Sequence, residues 1–577
     1  MKTKWFFLGC LTSVVLLIAF VALSFLGLLK LSSRLTDQQL AKINPGTVLH
    51  LKISGEIIEY NEFYDNYFKD LGNGSHEIIQ KINRATRDEN VEAILLEPSW
   101  IVCGYAVLNE IKTSLEEFQR SGKKVYAYLE RAGNKDYLLA AVADEIFLNP
   151  SASAGILLTG IGSSAIFYKD LFDKIGVEVT VIHAGEYKGF GESYSRRNFS
   201  KPVKENLNHL YTDIYERVIE DLSDRREIPS EKTRNIFEQR PELFISAESA
   251  IQYGLVDELL HFEDLVTKIC PDQRKLINFN KYKSATESLL RQDQIAVVYL
   301  QGEILESDLT YGAQFINFEK VDKILDKLET NPLVKGVVLR INSPGGSALE
   351  SEIIHDRILK LKEHKTVIIS MSNVAASGGY YISAPGDLIF ADPFTITGSI
   401  GVATIIPNFK QMADKIGIST DPIKKGKYVD VFNPFVEPDA ATFKALKLSS
   451  DNIYSEFLSR VSEGRSIDLE ELKNIAGGRV WSSNYALDSG LIDEIGILRD
   501  AVNKAAELAG LTDFQIKYYP EKRSIFQEFI NRRFNLSYMY SYLRYDLEDE
   551  FGLTRLYLRY KNLLNDPVQA IIPFELD

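Results

Sequence analysis

The sequence predicts an α/β protein in which one domain occurs twice, preceded by a single membrane-spanning helix. Short segments rich in β-branched residues alternate with amphipathic segments, which is typical of a largely parallel sheet covered by helices. Several of these segments recur later in the chain, and an uncharged apolar stretch lies near its start. At 577 residues the chain is also too long for one hydrophobic core.

The apolar stretch covers residues 5–29 and contains no charged side chain. It is long enough to cross the bilayer core of about 30 Å, whereas a cleaved signal peptide has an apolar core of about 7–15 residues. No small-residue cleavage site precedes Lys30, so we expect an uncleaved anchor. Lys2 and Lys4 favour a cytoplasmic N-terminus, although Lys30 and Arg34 follow the span. We therefore expect the body of the protein outside the cytoplasm.

The internal repeat is visible as matched segments at a spacing of roughly 240 residues. We interpret the chain as a tandem duplication. The matched pairs include VLHLKISGEI (48–57) with VVYLQGEI (297–304), VEAILL (91–96) with VKGVVL (334–339), FDKIGV (172–177) with ADKIGI (413–418), and AIQYGLVDEL (250–259) with ALDSGLIDEI (486–495).

The duplication divides the chain into segments with predicted boundaries. They are an anchor at 1–29, a linker at 30–45, a first copy at 46–270, a linker at 271–293, a second copy at 294–510 and a tyrosine-rich tail at 511–577. Apolar residues at helical spacing in the tail favour a packing or oligomer contact.

Charge and cysteine content exclude several classes of function. The net charge of −14 and the lack of a basic stripe argue against nucleic acid as a partner. The three cysteines, Cys10, Cys103 and Cys270, form no CxxC pair, and no carboxylate cluster has metal-ligand spacing with histidine or cysteine. We expect neither a metal nor an organic cofactor.

The segment VAASGGYYIS (374–383) places Ser377 between a predicted strand, TVIISM (366–371), and a predicted helix. A serine at such a corner could cap the helix through its hydroxyl. It could equally be a nucleophile, since small neighbours allow a substrate backbone to approach closely.

The two copies differ where chemistry would be expected. The first copy has Asn134 at the position of Ser377, and the second has Val429 at the position of Lys188. This contrast predicts one pocket that takes Ser377 from the second copy and Lys188 from the first. A lysine whose pKa is lowered by burial can act as the base for a serine. His183, five residues before Lys188, is the alternative base.

An acyl-transfer site also needs donors for the oxyanion. The segment INSPGGSALE (341–350) follows a predicted strand and begins a helix, so its glycines can turn backbone N–H groups towards a substrate carbonyl. The candidate donors are Gly345, Gly346 and Gly378.

These motifs together resemble the signal peptide peptidase A (protease IV) family in its long, duplicated form. The resemblance covers residues 46–510 and rests on SPGGS, AASGGYYIS, TGSIGV (397–402) and GRVWSSNYALDSGLIDEIG (478–496). It implies a fold similar to the crotonases and the Clp proteolytic subunit, built from ββα units. It further implies that Ser377 is the nucleophile, Lys188 the base, Gly345 an oxyanion donor, and Ser399 the residue that positions the lysine amine.

The same resemblance implies a single-pass protein of the bacterial cytoplasmic membrane that forms a tetramer and hydrolyses cleaved signal peptides and other short or unfolded polypeptides. The sequence departs from the family in its tyrosine-rich tail and in EPSWIVCGYA (97–106), where the first copy lacks the double glycine.

Two other functions are compatible with parts of the sequence. GIGSSA (160–165) matches the loose GxGxxA pattern of nicotinamide-dependent oxidoreductases, although it does not follow the first strand. An inactive scaffold or acyl-thioester binder could share the fold.

Overall fold

The computed structural model describes residues 43–62, 74–282, 293–306, 314–522 and 568–571, the last of these by backbone alone. The predicted span at 5–29 lies outside this set, as do residues 523–567 of the tail. Within the described ranges, no helix is both long and apolar enough to cross a bilayer.

The first copy consists of a central sheet with helices around it. Its strands are β1 (Thr47–Glu56), β2 (Val91–Val102), β3 (Lys124–Leu129), β4 (Arg131–Ala132), β5 (Glu145–Leu148), β6 (Gly155–Ile156), β7 (Glu178–Ala184), β8 (Glu258–Leu259) and β9 (Leu276–Asn278). Its helices are α1 (Ser75–Arg87), α2 (Tyr105–Arg120), α3 (Asn134–Ala140), α4 (Lys169–Ile175), α5 (Glu192–Ser195), α6 (Lys201–Arg226), α7 (Ser230–Glu238), α8 (Ala247–Tyr253) and α9 (Phe262–Ile269), with 3₁₀ turns at Gln273–Lys275 and Phe279–Lys281.

The second copy repeats this arrangement. Its strands are β10 (Gln294–Gln301), β11 (Glu303–Ile304), β12 (Phe315–Ile316), β13 (Val334–Ser343), β14 (Gly345–Ser347), β15 (Thr366–Ala376), β16 (Leu388–Ala391), β17 (Ile396–Gly398), β18 (Val402–Asn408), β19 (Val480–Ser482), β20 (Glu494–Ile495) and β21 (Gln515–Tyr519). Its helices are α10 (Phe318–Thr330), α11 (Ala348–Lys362), α12 (Gly378–Ser383), α13 (Lys410–Lys415), α14 (Ala440–Arg465), α15 (Leu469–Ile475), α16 (Ser483–Asp488) and α17 (Leu498–Leu508). A last strand, β22, covers Val568–Ile571.

The central sheets of the two copies have the same strand order, which confirms the predicted α/β class and the duplication. The first sheet runs β8-β5-β3-β2-β1-β9, and the second contains the corresponding run β20-β16-β15-β13-β10-β21. The pairs in both runs are parallel. Their central strands are buried on both faces, as in β10, where six successive residues from Ile295 to Leu300 are buried.

Each central sheet extends past the boundary expected from the repeat. β9 lies within the predicted linker at 271–293 and pairs with β1, while β21 lies within the predicted tail and pairs with β10. These edge strands are short and follow polar segments, so the sequence pattern alone did not distinguish them from linker.

A third sheet joins the two copies and positions the functional site. Its strand order is β12-β11-β14-β22-β18-β7, in which β7 comes from the first copy. β7 and β18 pair antiparallel along their whole length, from Ala184 opposite Val402 to Glu178 opposite Asn408. The chain segment that follows β7 is therefore fixed beside the segment that precedes β18.

A buried ion cluster also connects the copies. The Arg340 side chain of the second copy is fully buried. Its Nε lies 2.5 Å from a carboxylate oxygen of Glu59, and its Nη2 lies 3.0 Å from a carboxylate oxygen of Glu110. Both glutamates belong to the first copy. Buried charges are tolerated only when they are paired, so separating the copies would leave three charges unpaired. The two copies are thus held in one fixed relation around the shared sheet.

Candidate active site

Ser377 lies at the corner between β15 and α12, as the sequence predicts. Its backbone has φ of 58° and ψ of −117°, a conformation that residues with a side chain rarely adopt. Although Ser377 occupies the N-cap position of α12, its side chain makes no capping hydrogen bond. The corner is tight, because a methyl group on Gly379 would lie 2.6 Å from the Ser343 carbonyl oxygen. Helix capping therefore does not explain the strained backbone, and strain of this kind is common at functional sites.

Lys188 reaches Ser377 through the shared sheet. It lies four residues after the end of β7, and Ser399 lies three residues before the start of β18. Because these two strand ends are paired, the lysine of the first copy meets the serine corner of the second. Both Lys188 and Ser377 are buried, with 1% and 0% of their surface exposed.

The lysine amine has three polar contacts. Its Nζ lies 2.5 Å from Ser377 Oγ, 3.1 Å from Ser399 Oγ and 3.1 Å from the Ser399 carbonyl oxygen. A neutral amine has two N–H donors and one lone pair. Donation to the two oxygens of Ser399 leaves the lone pair directed at the Ser377 hydroxyl. The geometry thus suits an amine that accepts the serine proton.

Burial lowers the pKa of Lys188 well below that of an ordinary lysine. Desolvation is the cause, because an ammonium loses its hydration in this site while its three neighbours are uncharged. Nearby carboxylates would counteract this shift, but none is among its contacts within the described part of the chain.

Ser399 supplies two of the three oxygen atoms around the amine. Its backbone also has a positive φ, 53°, and its N–H donates to the Arg479 carbonyl oxygen at 2.6 Å. That hydrogen bond holds the residue in a conformation in which both its hydroxyl and its carbonyl face Lys188. Two serines with positive φ thus contact one buried lysine, and backbone strain of this kind is common at functional sites.

The glycines proposed as oxyanion donors are Gly378, which follows Ser377, and Gly345 and Gly346, which follow Ser343, whose carbonyl oxygen packs against Gly379. Gly346 has to be glycine, because a Cβ there would lie 2.0 Å from the Ile304 carbonyl oxygen. The Gly345 N–H donates to the Ser343 hydroxyl at 3.2 Å, so it would have to exchange that long hydrogen bond for a substrate oxygen. Gly378 is the first residue of α12, where N–H groups have no partner inside the helix.

The groove beside these glycines contains an extended segment of the chain itself. β22 lies between β14 and β18 and pairs antiparallel with both of them. Ile571 is opposite Gly345, Ala570 opposite Gly346, and Gln569 opposite both Ser347 and Ala403. A peptide backbone in extended conformation therefore fits between β14 and β18.

The alternative base does not meet the nucleophile. The His183 ring nitrogen Nε2 lies 2.9 Å from the Phe190 carbonyl oxygen, and burial lowers the pKa of the imidazole. His183 lies within the β7–β18 ladder, opposite Ala403, so its position is structural.

Asn134, which corresponds to Ser377 in the first copy, and Val429, which corresponds to Lys188 in the second, have different surroundings. Asn134 bridges to the following loop, with Nδ2 at 2.8 Å from the Gly160 carbonyl oxygen and Oδ1 accepting from the Thr159 N–H at 2.9 Å. Val429 is 58% exposed. Residues 160–165 form an irregular segment, and the next helix begins only at Lys169, so GIGSSA does not form the strand-to-helix turn of a dinucleotide site.

Local sequence patterns do not predict the contact that holds the loop carrying Lys188. Gly477 and Gly478 of the second copy pack directly against residues 185–188. The comparison of copies contained a signal for it, since the first copy has PELFI (241–245) where the second has GGRVW (477–481).

Comparison with known proteins identifies one family across both copies. The model of peptidase family S49 matches residues 117–275 and 360–512. Protease 4 of Haemophilus influenzae is 30% identical over 471 residues, which cover 77% of this chain and 75% of that protein. The chloroplastic serine protease SPPA of Arabidopsis thaliana is 30% identical over 488 residues, covering 82% and 70%.

Solved structures match single copies. A membrane-bound stomatin-specific protease, 1510-N, determined as a mutant in complex with a substrate peptide, is 18% identical with a TM-score of 0.27, covering 42% of this chain and 98% of that one.

Proposed function

Because this chain belongs to peptidase family S49 and is a serine protease, we propose that it hydrolyses peptide bonds with a dyad of Ser377 and Lys188, one residue from each copy. The distance of 2.5 Å between Lys188 Nζ and Ser377 Oγ, two buried side chains, is the observation that carries the proposal. Serine–lysine pairs are an established variant of the serine–histidine arrangement.

In the proposed reaction, the neutral Lys188 amine takes the Ser377 proton while Oγ attacks the substrate carbonyl carbon. The N–H groups of Gly345 and Gly378 hold the oxyanion, with Gly346 shaping the loop. The lysine ammonium then gives its proton to the leaving amine as the C–N bond breaks. Water then attacks the acyl-enzyme and gives a proton to the Lys188 amine. The lysine returns this proton to Ser377 Oγ as the ester bond breaks. Ser399 keeps the amine directed at Ser377 throughout.

We propose that the substrate binds as an extended strand between β14 and β18. The position of β22 supports this arrangement, because backbone hydrogen bonds on both sides suit an unfolded polypeptide more than a folded one. Cleaved signal peptides and other short or unfolded polypeptides fit this requirement. No cofactor takes part in the proposed reaction.

The experiment that tests the function is incubation of the purified chain with an unbiased peptide library, followed by mass spectrometry of the products. We expect cleavage inside the peptides, and none after Ser377 is replaced. An inactive scaffold or acyl-thioester binder of the same fold would leave the library intact.

We further propose that the protein is a membrane-anchored oligomer in the bacterial cytoplasmic membrane, with its catalytic body outside the cytoplasm. The repeat supports an oligomer. The second-copy residues that correspond to β7 are near 419–425, and the first-copy residues that correspond to β18 are near 160–166. Both segments lack a regular strand, and Ile423 is 92% exposed. Pairing of these two segments between successive subunits would repeat the β7–β18 contact and could close a tetrameric ring, which light scattering on the full chain would detect.

Removal of residues 568–577 should increase peptide cleavage at low substrate concentration. β22 lies where the substrate is proposed to bind, so it competes with the substrate and raises the apparent KM. We expect KM to fall severalfold while kcat stays constant. A chain that ends at residue 571 keeps the strand and is the matched control. An unchanged KM after removal of 568–577 would show that the substrate binds elsewhere.

A further inference from the structure

The segment 477–479 of the second copy packs against the lysine loop of the first copy. The Tyr187 N–H donates to the Gly477 carbonyl oxygen at 2.9 Å, and the Gly478 N–H donates to the Ile400 carbonyl oxygen at 2.8 Å. Ile400 directly follows Ser399. The segment therefore bonds both to the loop that carries Lys188 and to the segment that carries Ser399.

The packing leaves no room for a side chain at Gly478. A Cβ at this position would lie 2.5 Å from Lys188 N, 2.6 Å from Lys188 Cα and 2.7 Å from Lys188 Cβ. The contact is with backbone atoms, which cannot rotate away as the end of a side chain can. The lysine backbone therefore rests directly on the glycine.

Arg479 extends the same contact. Its carbonyl oxygen accepts from the Ser399 N–H at 2.6 Å, and its guanidinium lies 3.9 Å from the centre of the Tyr187 ring. A cation at this distance from an aromatic face is attracted to it. Residues 477–479 thus contact Tyr187, the backbone of Lys188 and the N–H group of Ser399.

We propose that Gly478 and Arg479 are positioning residues for the Lys188 base. They determine how far the Lys188 side chain extends into the buried site that contains Ser377 and Ser399. This inference rests on the proposed dyad. It adds that the second copy contributes the residues that position the base as well as the nucleophile. A displacement of about 1 Å at a reacting group can reduce the rate about 10²-fold.

The test is Gly478→Ala in the full chain, measured as the pH dependence of kcat/KM for a cleavable peptide. We expect kcat/KM at neutral pH to fall about 10²-fold. We also expect the ascending limb of the profile to move to higher pH, because a displaced amine regains hydration and its pKa rises towards that of an ordinary lysine.

Gly490→Ala is the matched control. Gly490 also has a positive φ, 73°, against 86° at Gly478, but its Cβ would lie 3.7 Å from Ile467, an ordinary contact. Both variants carry the strain of alanine in the left-handed region, and only one pushes on Lys188. We expect Gly490→Ala to keep the wild-type profile.

Arg479→Ala provides a second variant that adds no atoms and cannot clash. We expect a smaller displacement of the limb in the same direction. If the profiles of Gly478→Ala and Arg479→Ala both coincide with that of the wild type, the positioning role is wrong while the dyad stands. If the wild-type limb does not depend on Lys188 at all, the dyad itself is wrong.

Discussion

Replacement of Ser377 with alanine is expected to reduce kcat/KM by about 10⁴-fold or more, because it removes the only group proposed to attack the substrate carbonyl. The fold should remain, since the Ser377 side chain caps no helix and alanine meets the same backbone strain at φ of 58°. Circular dichroism and the thermal midpoint would check the fold, and peptide cleavage would measure the loss.

Ser383→Ala is the matched control for this variant. Ser383 is also buried and lies six residues further along, and its hydroxyl donates to the Gly379 carbonyl oxygen at 2.7 Å. Its loss should cost about 1 kcal/mol of stability and leave cleavage in place. Cleavage by Ser377→Ala at a rate near that of the wild type would remove the serine from the mechanism.

Lys188→Arg is expected to be nearly as damaging as Lys188→Ala, although it keeps a long cationic side chain. A guanidinium has a pKa above about 12 and stays charged, so it has no lone pair to accept the Ser377 proton. It would also place a charge in a site whose neighbours are neutral. We expect a loss of at least about 10³-fold for both variants, measured as kcat/KM at the optimal pH of the wild type.

A second buried lysine provides the control. Lys112 is fully buried like Lys188, but its amine pairs with the Asp221 carboxylate. Lys112→Arg keeps that charge pair and should retain cleavage. An active Lys188→Arg would show that the base lies elsewhere in the protein.

The sequence predicted that Ser377 and Lys188 would share a pocket, and the structure places their side chains in contact. The duplication carried this prediction, because a lysine in one copy opposite a valine in the other is difficult to explain by packing. The strand-to-helix corner at Ser377 is local, and residues 366–383 predict it directly. Local patterns of this kind need no knowledge of distant parts of the chain.

The remaining features depend on residues far apart in the sequence. Pairing of β7 with β18 joins residues more than 200 positions apart, and β22 reaches Gly345 from the end of the chain. Neither pairing leaves a periodic signal, since strand register depends on which edges meet in the folded protein. The close approach of Gly478 to Lys188 is similarly invisible until both copies are in place.

The pH dependence of kcat/KM tests the central claim, a neutral buried lysine as the base, most directly. The pKa of Lys188 in the free enzyme is lowered by burial, so activity should be absent where the amine is protonated and should rise as the pH passes through that pKa. We expect one ascending limb at a pH well below the usual pKa of a lysine, unchanged in His183→Ala. An ascending limb that persists in Lys188→Ala and disappears in His183→Ala would contradict the account and transfer the role of base to the histidine.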